Sequence, residues 1–385
     1  MEDKIVKKIS IAAVALALVA STITATPANA SAVSAANATT GAECAVKNTV
    51  AKGKGVVDPA TNKATDLTCR LATIGSYKGT LVWSYATDPI LENLDVLITA
   101  GTGGGFDTTG RKLGAALKAE GLIAGEPTYR NITGASQTTG LTSFINNDAG
   151  QAGKALIIGW ATVGGVHTAK ATVKTSDTVP AARIMGEYQV VVVKKASKYK
   201  TLADLVADLK KQKKKLAIAG GSLGTIDHLT TADIFKKIGL KTTDMNYVPY
   251  SGGGQTATAV LSDAKIAAGI AGYGEFASHV EAGTMRILGI TSEKRIPAIA
   301  AKTLLEQGVK VTSVNWRGIA LPKGTPDAGR LKVMQALDTV YGSITWKKTM
   351  LENSWIPSYQ FGATFGNFIK GQEKSIPAAL KSFGL

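Results

Sequence analysis

Cysteine and histidine are nearly absent from this chain: two of the first and three of the second among 385 residues. His167, His228 and His279 fall in no metal-ligand spacing, and two cysteines cannot build a zinc site alone. No glycine loop ends in Gly-Lys-Ser/Thr and no glycines stand at dinucleotide spacing, so no cofactor is expected. Aromatics are sparse, at 6%, and no arginine-rich run occurs, which argues against nucleic acid. Acids are in deficit, 28 against 44 Lys and Arg, for a net charge of +16. Past the first twenty residues no apolar run approaches the ~20 residues that a membrane span needs.

What is present begins with an export signal. Lys4, Lys7 and Lys8 precede an apolar stretch at 9–19, and Ala28-Asn29-Ala30 supplies small residues for cleavage. Ser21, Thr22, Thr24 and Thr26 make the segment too polar and too short to span, so 1–30 is expected to be removed and the protein to be periplasmic or extracellular. The leader carries three lysines and two acids, which leaves the mature chain at +15 of the +16. A basic exported protein suits anionic small molecules or an anionic envelope. The densest charge run, Lys210-Lys211-Gln212-Lys213-Lys214-Lys215, closes a helix opened by Thr201 and Asp204, where lysines offset the dipole.

The length suits two lobes rather than one small core. Cys44 and Cys69 lie in a stretch rich in Ala, Thr, Asn and Gly, and an even pair in an exported chain is expected to form a disulfide. Residues 31–94 therefore read as a small stapled extension, and the main fold is expected to start at Leu94. From there apolar strands at 94–100, 155–158, 189–193, 216–219, 247–250, 267–271 and 286–291 alternate with amphipathic helices. The fold class is α/β, with mostly parallel sheets covered by helices.

Four glycine-rich turns fall between a strand and a helix start. They are Gly101-Thr102-Gly103-Gly104-Gly105-Phe106-Asp107, Gly134-Ala135-Ser136-Gln137, Gly220-Gly221-Ser222-Leu223-Gly224-Thr225 and Ser251-Gly252-Gly253-Gly254-Gln255. Ligands of such sheets bind at the carboxyl ends of the strands, where all four lie. Glycine admits close approach, and the free N–H groups of a helix's first turn favour negative charge. The pattern points to capture of a small anion by backbone donors.

Several stretches of 94–385 resemble the solute-binding proteins of tripartite tricarboxylate transporters, the Bug family. Gly103-Gly104-Gly105-Phe106-Asp107 with Arg111 is similar to that family's glycine triplet before an Asp and a helical Arg. Val248-Pro249-Tyr250-Ser251-Gly252-Gly253-Gly254 is close to its Val-Pro-Tyr-x-Gly-Gly-Gly signature, and 220–229 resembles its turn ending in His-Leu. Ala282-Gly283 through Arg286, Thr291-Ser292-Glu293-Lys294-Arg295, and Trp316-Arg317-Gly318 with Pro322-Lys323-Gly324-Thr325-Pro326 follow in the family's order. Thr133-Gly134-Ala135-Ser136-Gln137 departs from its usual Pro-Gly-Ala-Gly-Gly, and the cysteine-bearing extension is not part of its usual pattern.

The resemblance implies a two-lobed clamshell like type II periplasmic binding proteins. Lobe one would comprise 95–193 and 312–385 and lobe two 194–311, with 190–193 and 316–321 as crossing strands. It implies a monomer that hands a small carboxylate (a di- or tricarboxylate, an acidic amino acid or an aromatic acid) to membrane permease subunits, with no catalysis. Thr102, Gly103, Gly104 and Phe106 would offer backbone donors, and Asp107 beside them would cap the helix. Ala135, Ser136 and Gln137 would serve from the second turn, where Ser136 and Gln137 either donate to ligand oxygens or face solvent. Ser222, Gly224 and Thr225 would serve from the third, Thr225 as donor or simply as N-cap. Gly253 and Gly254 would close the far side, and Tyr273 would reach the ligand or pack at the rim. A rival reading takes Gly220-Gly221-Ser222-Leu223-Gly224 as a nucleophile elbow, with Asp244 or Asp263 and His279 completing an esterase triad. An adhesive or cell-wall protein would rest only on the basic surface and the extension.

Overall fold

The computed structural model describes residues 32–58 and 61–384. The expected leader at 1–30 lies outside the described residues. The first elements are β1 (Val50–Ala51), β2 (Leu67–Leu71) and β3 (Leu81–Ser84), an antiparallel sheet with β2 central. Cys44 and Cys69 are disulfide-bonded, their Cα atoms 5.8 Å apart. The main fold follows with β4 (Asp95–Ile98), α1 (Gly105–Ala119), β5 (Thr128–Asn131), α2 (Thr138–Asn147), β6 (Lys154–Gly159) and α3 (Trp160–Thr168). The long β7 (Val179–Lys194) leads to α4 (Leu202–Gln212), β8 (Ala217–Gly220), α5 (Ile226–Lys237), β9 (Asn246–Pro249) and α6 (Gly253–Ser262). Then come β10 (Ile266–Gly272), α7 (Tyr273–Glu281), β11 (Met285–Ile290) and β12 (Val314–Leu321). The last elements are α8 (Asp327–Gly342), α9 (Ile344–Glu352), β13 (Gln360–Phe361) and α10 (Gly362–Ser382).

One ten-stranded sheet runs through both lobes, in the order β5-β4-β6-β12-β7-β10-β8-β9, with β11 and β13 also paired to β7. The pairs within β5-β4-β6 and within β10-β8-β9 are parallel, and those made by β7 and β12 are antiparallel. β7 holds the lobes together: its 179–188 part pairs with β12 and its 189–194 part with β10 and β11. Both faces of the sheet are buried, as in parallel sheets covered by helices. Val96, Ile98 and Ile157 enter one core cluster while Leu97, Leu156 and Ile158 enter another. In lobe two, Val191 and Val193 point to one side and Val190 and Val192 to the other.

Two expectations change. β12 pairs only with β6 and with the lobe-one part of β7, so 316–321 lies inside lobe one; the return passage precedes it, where Ser313 N–H donates to Thr291 O at 3.3 Å. The N-terminal segment is stapled, but it is no separate appendage. Leu67, Cys69 and Trp83 share one buried cluster with Leu113, Leu117, Leu337 and Trp346. Polar ties fix it further: Arg330 Nη2 meets Asp58 Oδ1 at 2.8 Å, and Tyr85 Oη donates to Asp338 Oδ2 at 2.6 Å. A segment this apolar on one side buries it against the nearest helices, here α8 and α9.

Candidate functional site

The capping box expected at Thr201 and Asp204 forms at the start of α4. The four glycine turns do not behave alike. The first and fourth meet each other through a side chain, and the second and third meet α3. Gly104 is the N-cap of α1 and Gly105 its first residue; Gly252 and Gly253 hold the same places on α6. Between them stands Glu275 of α7. Its Oε1 accepts from Gly105 N–H at 3.2 Å, and its Oε2 lies against Gly253, where a Cβ would stand 1.8 Å away. Two helix starts, one from each lobe, thus aim at a single carboxylate.

Beneath lies a floor of charged side chains. Arg317 of β12 and Glu187 of β7 are both buried, with Nη2 and Oε2 3.3 Å apart. The guanidinium lies over the Phe106 ring at 5.6 Å, and Nη1 donates to Thr109 Oγ1 at 3.4 Å. Glu187 Oε1 accepts from Gly274 N–H at 2.9 Å at the start of α7. Asp227 of α5 accepts from Gly221 N–H at 2.9 Å and so braces the third turn. Two residues from Glu187 along β7, and hence on the same face, Gln189 is fully buried with neither amide atom paired among the described residues.

Burial, with three carboxylates facing one guanidinium, raises the pKa values of Glu275 and Asp227. Burial, then the charge of Glu187, raises that of Glu275, while Arg317 and the N–H groups of Gly105 and Gly253 pull the other way. Burial, then the charges of Glu275 and Glu187, pushes Asp227 up to about 8 from 3.8. Asp227 therefore keeps its proton in the folded protein over a window where the unfolded chain has lost it. The folded state binds more protons there, so stability falls as pH rises from about 4 toward 8, by at most ~1.4 kcal/mol per pH unit. Asp227→Asn keeps an acceptor for Gly221 and carries no charge. Its melting temperature is expected to lose much of the decline between pH 6 and 8; curves parallel to the wild type would refute the assignment.

The other sequence-derived positions separate clearly. Thr102 and Gly103 are exposed, but Gly103 N–H is taken by Asp107 Oδ2 at 2.9 Å and Gly104 N–H by Gly101 O at 3.3 Å. Neither amide is therefore the free donor expected of it. Phe106 is buried beneath Arg317. Asp107 is the third residue of α1, not its N-cap. Burial raises the pKa of its carboxyl, but hydrogen bonds from Arg111, Gly103 and Asn131 outweigh this and hold it below 3.8.

In the second turn Ala135, Ser136 and Gln137 all have left-handed backbone, with φ of 42°, 53° and 77°. Gln137 Oε1 accepts from Thr99 and Thr162, both at 3.0 Å, and its Nε2 has no partner among the described residues. A Cβ on Gly165 would stand 1.8 Å from Ser136 O, and one on Gly164 2.2 Å from Gly224 O. These two glycines let α3 receive the second and third turns backbone to backbone. Gly224 is thus a contact between lobes, and its N–H donates to His228 Nδ1 at 3.2 Å. Burial lowers the His228 pKa to about 4, so the ring stays neutral and can accept.

Thr225 is the N-cap of α5 by position, and its hydroxyl donates within the turn to Ser222 O at 2.8 Å. Gly254 is exposed in the first turn of α6. The Tyr273 ring packs in the lobe-two core with Val190 and Phe276. The triad does not assemble: Ser222 Oγ donates to Tyr250 O at 3.4 Å, Asp244 accepts from Lys241 N–H, and Asp263 accepts from Lys265 N–H. A separate cavity of about 1240 Å³ opens beside α3, lined by Lys170, Lys174, Lys214, Lys370 and Lys374 and by no residue of the first or fourth turn.

Arg317, Glu187, Gln189 and Glu275 were not singled out as site residues from sequence. Arg317 sat inside a recognised motif, and Glu275 stands on a helix start two residues past Tyr273, so position alone could have flagged both.

A family model described as tripartite tricarboxylate transporter family receptor (TctC) matches residues 166–385. The chain belongs to this receptor family. A UPF0065 protein from the gbd 5' region of Cupriavidus necator is 26% identical to the receptor over 196 residues, covering 50% of this chain and 58% of that relative. The chain thus spans less than two thirds of that relative's length. Solved structures share the receptor's fold. MatC from Rhodopseudomonas palustris with bound malate is 15% identical, with a TM-score of 0.66 over 75% of this chain and 99% of that one. An R. palustris protein with adipate is 19% identical, with a TM-score of 0.67 over 78% and 99%. No helix among the described residues is long and apolar enough to cross a membrane.

Proposed function

We propose that this receptor captures a small dicarboxylate between its lobes outside the cytoplasm and delivers it, as a monomer, to the permease subunits of a tripartite tricarboxylate transporter. One observation carries the reading: the starts of α1 and α6, from opposite lobes, converge on one carboxylate position. A ligand there would bridge the lobes and favour closure. Lobe one is read as 95–188 and 312–385 and lobe two as 189–311, the boundary moved from 193 to where β7 changes partners, and the leader at 1–30 supplies export. Thr102, Ser136, Gln137, Ser222 and Gly254 are read as further donors, with Arg317 and Gln189 as candidates from the sheet. Malate and adipate, held by neighbours of the same fold, support a dicarboxylate and are the first ligands to try.

Backbone donors fixed at helix starts lose less to salt than mobile surface lysines do. Calorimetry on refolded receptor should therefore give binding of malate or adipate that changes little between two salt concentrations and weakens as pH falls through the ligand's own pKa values. Binding of the corresponding neutral diamides, with none of the acids, would overturn the reading.

A further inference from the structure

Resting on that reading, we propose that Glu275 is a resident stand-in for the ligand's carboxylate: a latch that draws the lobes together in the ligand-free receptor, and that an anionic ligand must displace. Glu275 is the third residue of α7, where an acid ordinarily turns back on its own helix start. Glu187 already serves that start through Gly274 N–H, which leaves Glu275 to reach outward. It reaches Gly105 in lobe one and Gly253 in its own lobe, so a single side chain ties α7, α6 and α1 together.

The fit depends on glycine. A Cβ on Gly253 would stand 1.8 Å from Glu275 Oε2, and one on Gly105 3.1 Å from Oε1. A larger residue at 253 would exclude the carboxylate, and one at 105 would press on it while striking Arg317 Nη2, 2.2 Å from a Cβ there. The charged groups facing it are Glu187 from β7, Arg317 from β12 and Asp227 from α5, and Arg317 is already paired with Glu187. A ligand carboxylate beside Glu275 would meet two carboxylates, Glu275 and Glu187, a protonated Asp227 and one committed cation. Like charges this close exclude each other, so ligand and latch compete for the same N–H groups. A site occupied by its own latch binds with an apparent affinity reduced by the fraction of molecules in which it is free.

The test uses Glu275→Ala and the near-isosteric Glu275→Gln in the full mature chain. Small-angle X-ray scattering of ligand-free wild type is expected to report the compact form, and Glu275→Ala a larger radius of gyration. Glu275→Gln, which keeps shape and an acceptor but no charge, is expected to fall between them. Calorimetry with malate or adipate is expected to show about tenfold tighter binding by Glu275→Ala, since the competitor is gone. Variants as compact as the wild type would overturn the latch, and so would weaker binding, which would make Glu275 a ligand contact instead. The scattering arm needs no ligand. If neither acid binds any of the proteins, the carboxylate reading fails while the latch is still decided.

Discussion

Asp58→Ala is expected to lower the receptor's stability by about 3–5 kcal/mol. Asp58 and Arg330 are each 7% exposed at the side chain, and Arg330 presents both Nε and Nη2 to Asp58 Oδ1, at 3.2 and 2.8 Å. Removing the carboxylate strands a guanidinium in the interior, its remaining partners among the described residues being Thr325 O at 3.4 Å and Asp327, a largely exposed residue. An uncompensated buried charge costs far more than the pair contributes. The loss also loosens the N-terminal segment from α8, where Asp338 holds Tyr85. Denaturant titration would measure the change in midpoint. A loss below about 1 kcal/mol would mean that the pair is incidental and that apolar packing alone seats the segment.

Gly104→Leu is expected to abolish ligand binding, by a factor of 100 or more, with the melting temperature nearly unchanged. Gly104 has φ −76° and ψ 169°, a conformation open to any residue, and a Cβ there meets nothing closer than Gly101 O at 3.4 Å. The N-cap of α1 makes no side-chain hydrogen bond that a leucine would forfeit, so the helix loses only about 1 kcal/mol of cap preference. The added side chain would overhang the anion position on which Gly105 and Gly253 converge. A side chain there would hold the ligand's oxygens beyond hydrogen-bond distance of those N–H groups. Calorimetry beside thermal melting separates the two effects. Retained binding would move the ligand away from the first turn.

Sequence patterning carried the fold a long way because two-faced burial leaves continuous apolar runs. The strands read at 155–158 and 216–219 correspond to β6 and β8, and the helix start at Thr201 has its capping box. It carried the site less far. Glycine spacing located the helix starts, but which N–H groups stay free depends on acids several residues away: Asp107 takes Gly103, and Asp227 takes Gly221. The convergence of Glu187, Glu275, Asp227 and Arg317 joins β7, α7, α5 and β12, which are distant in the chain. No local pattern announces such a cluster. The N-terminal segment misled for a similar reason, since its small polar residues describe its outer face, while Leu67 and Trp83 enter the buried cluster shared with α1, α8 and α9.

The position of β12 bears on how the molecule is made. It sits at the centre of the sheet between β6 and β7, yet it is the last long strand to be synthesised. Until residue 321 has emerged, β5-β4-β6 has no neighbour on one side and the 179–188 part of β7 lacks its main partner. The β10-β8-β9 half, by contrast, is complete by residue 290 and depends on nothing later for its strand pairing. Synthesis from the N-terminus therefore finishes the second lobe before it can close the first. That order leaves the central, long-range pairings of β12 open until translation is nearly over.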